Sequence, residues 1–103
     1  MENLTKEKEQ LKKVKKDGWA IKFIYNPSEA VQLEAVKQNG LAIQFIPNPS
    51  EAVQLKAIEE HSSSIKFIPN PSEDVQLKAV KRNGYAIRYI PNPSEAVKNI
   101  SKS

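Results

Sequence analysis

The sequence predicts an all-α protein, an α-solenoid assembled from 22-residue repeats of a long helix and a short helix. Three observations carry that expectation. The string "NPS" begins at Asn26, Asn48, Asn70 and Asn92, each step being 22 residues with no insertion. Gly18, Gly40 and Gly84 keep the same period, as do Gln10, Gln32, Gln54 and Gln76, and Leu11, Leu33, Leu55 and Leu77. Within each unit the apolar residues are spaced for a helix rather than alternating as in a strand. A fixed period of about 20–50 residues marks a stacked array. The single domain therefore divides into units 4–25, 26–47, 48–69 and 70–91, with a capping half unit at 92–103.

The first element of a unit is read from residues 26–47, "NPSEAVQLEAVKQNGLAIQFIP". Asn26 is a suitable N-cap, Pro27 suits the first helical position and Glu29 completes a capping pattern. Gly40 is expected to adopt the left-handed conformation and end the helix. The long helix is thus predicted over 27–39, with Glu29, Glu51, Glu73 and Glu95 as capping carboxylates near successive N-termini. Val31, Leu33, Ala35 and Val36 form a wide apolar arc opposite Glu34, Lys37 and Gln38, as suits a helix held between two neighbours.

Gln32 falls inside that arc, and Gln10, Gln54 and Gln76 repeat it. A buried amide without partners is costly. These glutamines are therefore expected either to bond backbone groups in an adjoining turn or to form a structural ladder from unit to unit. A half-exposed position at the rim is the bland alternative.

The second element, "LAIQFI" at 41–46, could be a strand, which would make the fold a β/α solenoid. Strand alternation would mix Gln44 with Ala42 and Ile46 on one face. On a helical wheel Gln44 stands alone, and Leu41, Ile43, Phe45 and Ile46 cover the rest. Position 42 is always small (Ala20, Ala42, Ser64, Ala86) and position 44 always polar (Lys22, Gln44, Lys66, Arg88). A short helix is the favoured reading, ended by Pro47 and Pro49. One unit buries too little apolar surface to offset the entropy of ordering its chain, so neighbours must share a core. Lys8 and Lys13 replace the small Ala30 and Ala35 in the first unit, and Lys98 stands where other units have Gln, consistent with polar terminal units.

The segment "NPSEAVQLEAVKQNGLAIQFI", with its "VQLxAVKxNGxAIxxI" core, resembles the bacterial and viral repeat family catalogued as domain of unknown function 4116. The resemblance runs from Asp17 to Val97. It implies an α-helical repeat, transfers no catalytic residue, and points to a setting shared by phages and bacteria. Unit 48–69 departs from the pattern: "EEHSSS" replaces "KQNGLA", so that Ser62 stands for Gly and Ser63 for the large apolar residue, which puts its turn in question.

The chain shows little chemistry. Its 39% hydrophobic and 27% charged residues place it in the globular range. It has no cysteine, hence no disulfide or thiolate site. There is no long apolar run to span a membrane and no apolar core in the N-terminal stretch to form a secretory signal, so a cytoplasmic protein is expected. Metal-ligand spacing and a phosphate-cradling glycine loop are both missing, and no cofactor is expected. His61, beside Ser62, Ser63 and Ser64, matches Asp17, Asn39 and Asn83 in other units, a helix-terminal position rather than a catalytic base. No enzyme is expected.

What remains is surface. Positions 41 and 44 of successive units pair Trp19 with Lys22, Leu41 with Gln44, Ser63 with Lys66, and Tyr85 with Arg88. Trp, Tyr and Arg are good interface anchors, so this ridge suits an acidic protein face; the alternative is that Trp19 and Tyr85 only cover the core. A second stripe on the long helices runs Lys12, Lys15, Lys16, then Glu34, Lys37, then Lys56, Glu59, Glu60, then Lys78, Lys81, Arg82. It changes sign at the third unit, against a nucleic-acid groove. The leading expectation is a non-catalytic protein-binding module, in its sharper form a phage-encoded inhibitor that occludes a bacterial defence or host enzyme, of the anti-CRISPR type. The alternatives are nucleic-acid binding through the Lys/Arg stripes and a structural, self-assembling repeat.

Overall fold

The computed structural model describes the backbone of residues 2–102 and the side chains of residues 5–101. Five α-helices alternate with four 3-10 helices. In chain order they are α1 (Glu2–Lys16), η1 (Gly18–Phe23), α2 (Glu29–Gln38), η2 (Gly40–Phe45), α3 (Glu51–Glu60), η3 (Ser62–Phe67), α4 (Glu73–Arg82), η4 (Gly84–Tyr89) and α5 (Glu95–Lys102). No strand occurs among the described residues, so the segments "LAIQFI" and its counterparts are short helices. Each α-helix packs on the next α-helix, and each 3-10 helix on the α-helices before and after it and on its own neighbours. The result is a rod of 50 × 20 × 16 Å, with one set of helices along each side. Such nearest-neighbour packing defines a solenoid.

The core is a single seam of aliphatic residues. Val31, Ala35 and Val36 of α2 are fully buried, as are Val53, Ala57 and Ile58 of α3, and the series continues through Val75, Ala79 and Val80 of α4. Leu33, Leu55 and Leu77 flank it half-buried. The 3-10 helices add Ile21, Ile43 and Ile65. Position 42 is small for a reason now visible: Ala42, Ser64 and Ala86 are buried between helices, and the Ser64 hydroxyl donates to the Ala57 carbonyl at 3.4 Å. In α1, Lys13 is exposed where Ala35, Ala57 and Ala79 are buried. Ala30, by contrast, is itself exposed, so Lys8 at the matching position changes nothing in the seam.

Local geometry corrects the expected caps. The N-cap is Ser28, not Asn26, and α2 spans Glu29–Gln38 rather than 27–39. Ser28, Ser50, Ser72 and Ser94 each accept from the backbone N–H three residues on, at 3.3 Å. Glu29, Glu51, Glu73 and Glu95 are therefore the first helical residues, favourable to the helix dipole there. Asn26, Asn48, Asn70 and Asn92 are the left-handed residues, with φ from 51° to 56°. Asn tolerates that conformation better than other residues with a side chain. It turns the chain just before a proline, and at Asn48, Asn70 and Asn92 between two.

Gly40 does not end its helix in a left-handed conformation; no glycine has positive φ. It opens η2, and the reason for glycine is proximity. A Cβ on Gly18 would lie 2.5 Å from the Ala35 carbonyl oxygen, and one on Gly40 would meet the Ala57 carbonyl oxygen as closely. Glycine lets η1 and η2 rest on the backbone of the following unit. The residue before it does two things at once. Asn39 closes α2 in an extended conformation and its Oδ1 caps η2 by accepting from the Leu41 N–H at 3.0 Å. Asp17 and Asn83 do the same for Trp19 and Tyr85. The turn of unit 48–69 keeps this conformation despite its altered sequence, with His61 at φ −155° and ψ 107°. Because the glycine position has no positive φ, the backbone conformation there does not itself exclude Ser62.

Candidate functional site

The side of the rod built from η1–η4 and the turns that follow them carries the unusual chemistry. All seven aromatic residues of the chain lie here: Trp19, Phe23, Tyr25, Phe45, Phe67, Tyr85 and Tyr89. None is buried. Phe23, Tyr25 and Tyr85 are 81%, 94% and 78% exposed, far beyond what a core-covering role needs. The chain segments that build this edge, residues 18–28, 40–50, 62–72 and 84–94, contain neither Asp nor Glu, although the Glu51 carboxylate reaches Ser72 from α3. Its charges are the exposed Lys22, Lys66 and Arg88.

A 3-10 helix explains how these side chains come out together. With about three residues per turn, residues i and i+3 stand above one another. Gly40 and Ile43 therefore point inward, while Leu41 and Gln44 form an outer row. Backbone bonds of the i+3 type hold this geometry, from Ala42 N–H to Asn39 and from Ile46 N–H to Ile43, both at 2.9 Å. Phe45 lies at the edge rather than over the core, which corrects the α-helical wheel that grouped it with Ile43 and Ile46.

The ridge residues expected from positions 41 and 44 fall into two clusters. In the first, Trp19 meets Phe45 of the next unit edge to face, with centroids 5.4 Å apart. Lys22 Nζ sits 5.0 Å from the Phe23 ring centroid and 5.8 Å from that of Phe45. In the second, Lys66 Nζ sits 5.1 Å from Phe67 and 5.7 Å from Tyr89, and the Arg88 guanidinium is 4.9 Å from Tyr89. Tyr85 and Arg88 border one shallow depression beyond it. Leu41 and Gln44 lie between the clusters, where the Gln44 amide donates to the Leu41 carbonyl at 3.0 Å. A cation within about 6 Å of a ring is attracted to its face, so each cluster is a pre-ordered patch of charge and aromatic surface.

Phe23, Phe45, Phe67 and Tyr89 are functional candidates that the helical wheel concealed. Their signal was present, an aromatic at every twenty-second residue, but reading it needed the 3-10 period.

The glutamines act inside their units. Gln32, Gln54 and Gln76 donate through Nε2 to the carbonyls of Pro27, Pro49 and Pro71, at 3.0, 3.0 and 2.9 Å. These bonds brace each turn against its own helix and do not run between units. In α1 the residue five before Gln10 is Thr5, so the proline turn that receives these amides elsewhere has no counterpart there.

On the opposite side, the long-helix stripe is partly neutralised within itself. Lys56 pairs with Glu59 and Glu60, and Lys78 reaches back to Glu59, each at 3.6 Å. His61 accepts or donates at Nδ1 to the Ser63 hydroxyl at 2.8 Å in an exposed turn. No helix among the described residues is long and apolar enough to cross a membrane. Comparison with protein-family models, with curated proteins and with solved structures returns no match.

Proposed function

We propose that this chain is a non-catalytic repeat module of the cytoplasm that grips a protein partner through its short-helix edge, and that the partner surface is acidic. The observation that carries this reading is segregation. No aromatic side chain is buried, and all lie on one edge together with Lys22, Lys66 and Arg88, in segments that contain neither Asp nor Glu. Aromatic and Arg anchors dominate binding energy at protein interfaces, and charge complementarity selects the partner. The mixed, internally paired long-helix stripe is a poor match for a polyphosphate backbone. The resemblance to repeats of bacteria and phages supports a sharper form, a phage-encoded inhibitor that blocks a bacterial defence or host enzyme by occlusion, of the anti-CRISPR type.

Affinity purification from bacterial lysate tests the reading. The chain, a ridge variant (Lys22→Glu, Tyr85→Ala, Arg88→Glu) and a long-helix variant (Lys37→Glu, Lys81→Glu) are compared as baits. A stoichiometric protein retained by the first and third and lost by the second is the expected result. No stoichiometric partner, or one that the ridge variant still holds, contradicts it.

A further inference from the structure

Between the Pro-Asn-Pro turns at 69–71 and 91–93 runs a groove of about 530 Å³, within the size range of small-ligand sites. Its lining is mixed: Ile68, Pro69 and Pro91 share it with Asn70, Asn92, Lys66 and Tyr89. Gln76 also lines it. The amide nitrogen of Gln76 is committed to the Pro71 carbonyl at 2.9 Å, and its Oε1 is a buried side-chain acceptor without a partner among the described residues. Buried acceptors are normally satisfied, so an orphan one on a residue that lines a groove is informative. The equivalent seams differ. Between units two and three, Gln44 replaces Lys66 and Phe67 replaces Tyr89; between units one and two, Phe45 replaces Tyr89 and Tyr25 replaces Pro69. A cation at position 66 faces a phenol at position 89 only in this seam.

We infer that this groove seats an extended acidic peptide segment of the protein partner, an inference that rests on the protein-binding reading above. An extended chain presents main-chain N–H groups and side chains in alternation. A main-chain N–H of that chain supplies the donor that Gln76 Oε1 lacks. An adjacent carboxylate meets the Lys66 ammonium and the Tyr89 hydroxyl, and an apolar side chain lies on Ile68 and the two prolines. The absence of Asp and Glu from residues 62–72 and 84–94 leaves nothing in these two segments to repel that carboxylate.

The test is a titration of the isotopically labelled full chain with a short peptide alternating leucine and glutamate, followed by amide chemical shifts. Shifts centred on the Gln76 side-chain amide, Lys66 and Tyr89 are expected. Lys66→Glu should weaken binding by about tenfold or more, through lost attraction and added repulsion, while Lys37→Glu on α2 leaves it unchanged. Shifts centred on Trp19 and Lys22 instead overturn the groove and leave the ridge reading standing. No shift at all overturns the groove. So does an oligothymidylate that shifts the same amides while the peptide does not, since it assigns the surface to nucleic acid; that result counts against the ridge reading as well.

Discussion

Replacing Gly40 by Ala should loosen the joint between the second and third units, although alanine is the better helix former. The backbone at Gly40 has no positive φ, so the conformation itself accepts a side chain. In the unfolded chain alanine is less free than glycine, which alone would stabilise the protein by about 0.4–1 kcal/mol. Against this stands the fit. The new Cβ would press on the Ala57 carbonyl oxygen and lie 3.0 Å from His61 Cβ and 3.1 Å from His61 N. Two of these neighbours are backbone atoms that no rotamer change can move, so the seam must part by nearly an ångström. Overpacking of this kind costs about 1–3 kcal/mol, leaving a net loss of about 1–2 kcal/mol. The melting temperature should fall by about 5–10 °C. Gly84 supplies the control, because a Cβ there would lie 3.3 Å from the Ser101 carbonyl oxygen and needs only a few tenths of an ångström. Gly84→Ala should stay within about 0.5 kcal/mol of the parent. Urea unfolding of both variants, with amide exchange to locate the opening at η2 and α3, decides the matter. A Gly40→Ala protein as stable as the parent, or a Gly84→Ala protein equally damaged, would refute the reasoning.

Other substitutions probe the remaining joints. Ser50→Ala should lose about 1 kcal/mol with the cap of α3, and Ser72→Ala somewhat more, because Ser72 also donates to Glu51 at 2.6 Å across the seam; urea midpoints give the ranking. Gln54→Leu should cost about 1 kcal/mol by freeing the Pro49 carbonyl, whereas Gln76→Leu should cost less, since it also removes an unsatisfied buried oxygen. Asn48→Val should destabilise by about 1–2 kcal/mol in thermal melts because a β-branched residue resists the left-handed conformation, while Asn48→Gly stays near the parent. Glu59→Gln should change stability by no more than about 1 kcal/mol, an effect that shrinks in high salt, because its lysine partners are half in solvent.

The 22-residue period was enough to define the stack, because a unit that cannot bury its own apolar face must share it. The small residue at position 42 was legible as a contact between helices. The caps were displaced by two residues, since Asn-Pro-Ser offers two plausible N-caps and only the geometry of the proline turn selects Ser28. Gly40 was misread for a related reason. A glycine after a helix suggests a left-handed stop, but close approach to a carbonyl in the next unit leaves no local trace in sequence. The aromatic edge was half visible: Trp19 and Tyr85 stood out as interface anchors, whereas Phe23, Phe45, Phe67 and Tyr89 looked like core when viewed at 3.6 residues per turn. The pairing of Lys22 and Lys66 with rings of successive units depends on the stacking of neighbours and could not be read from a single unit.

Lysine footprinting in living bacterial cells tests the binding edge most directly, because any bound protein shields the lysines it covers, whatever its identity. Lys22 and Lys66 stand on the short-helix edge, and the equally exposed Lys37 and Lys81 on the long helices. The first pair should react slowly in cells and fast in the purified protein, while the second pair reacts alike in both. Uniform reactivity in the two settings, or shielding confined to Lys37 and Lys81, would contradict the assignment.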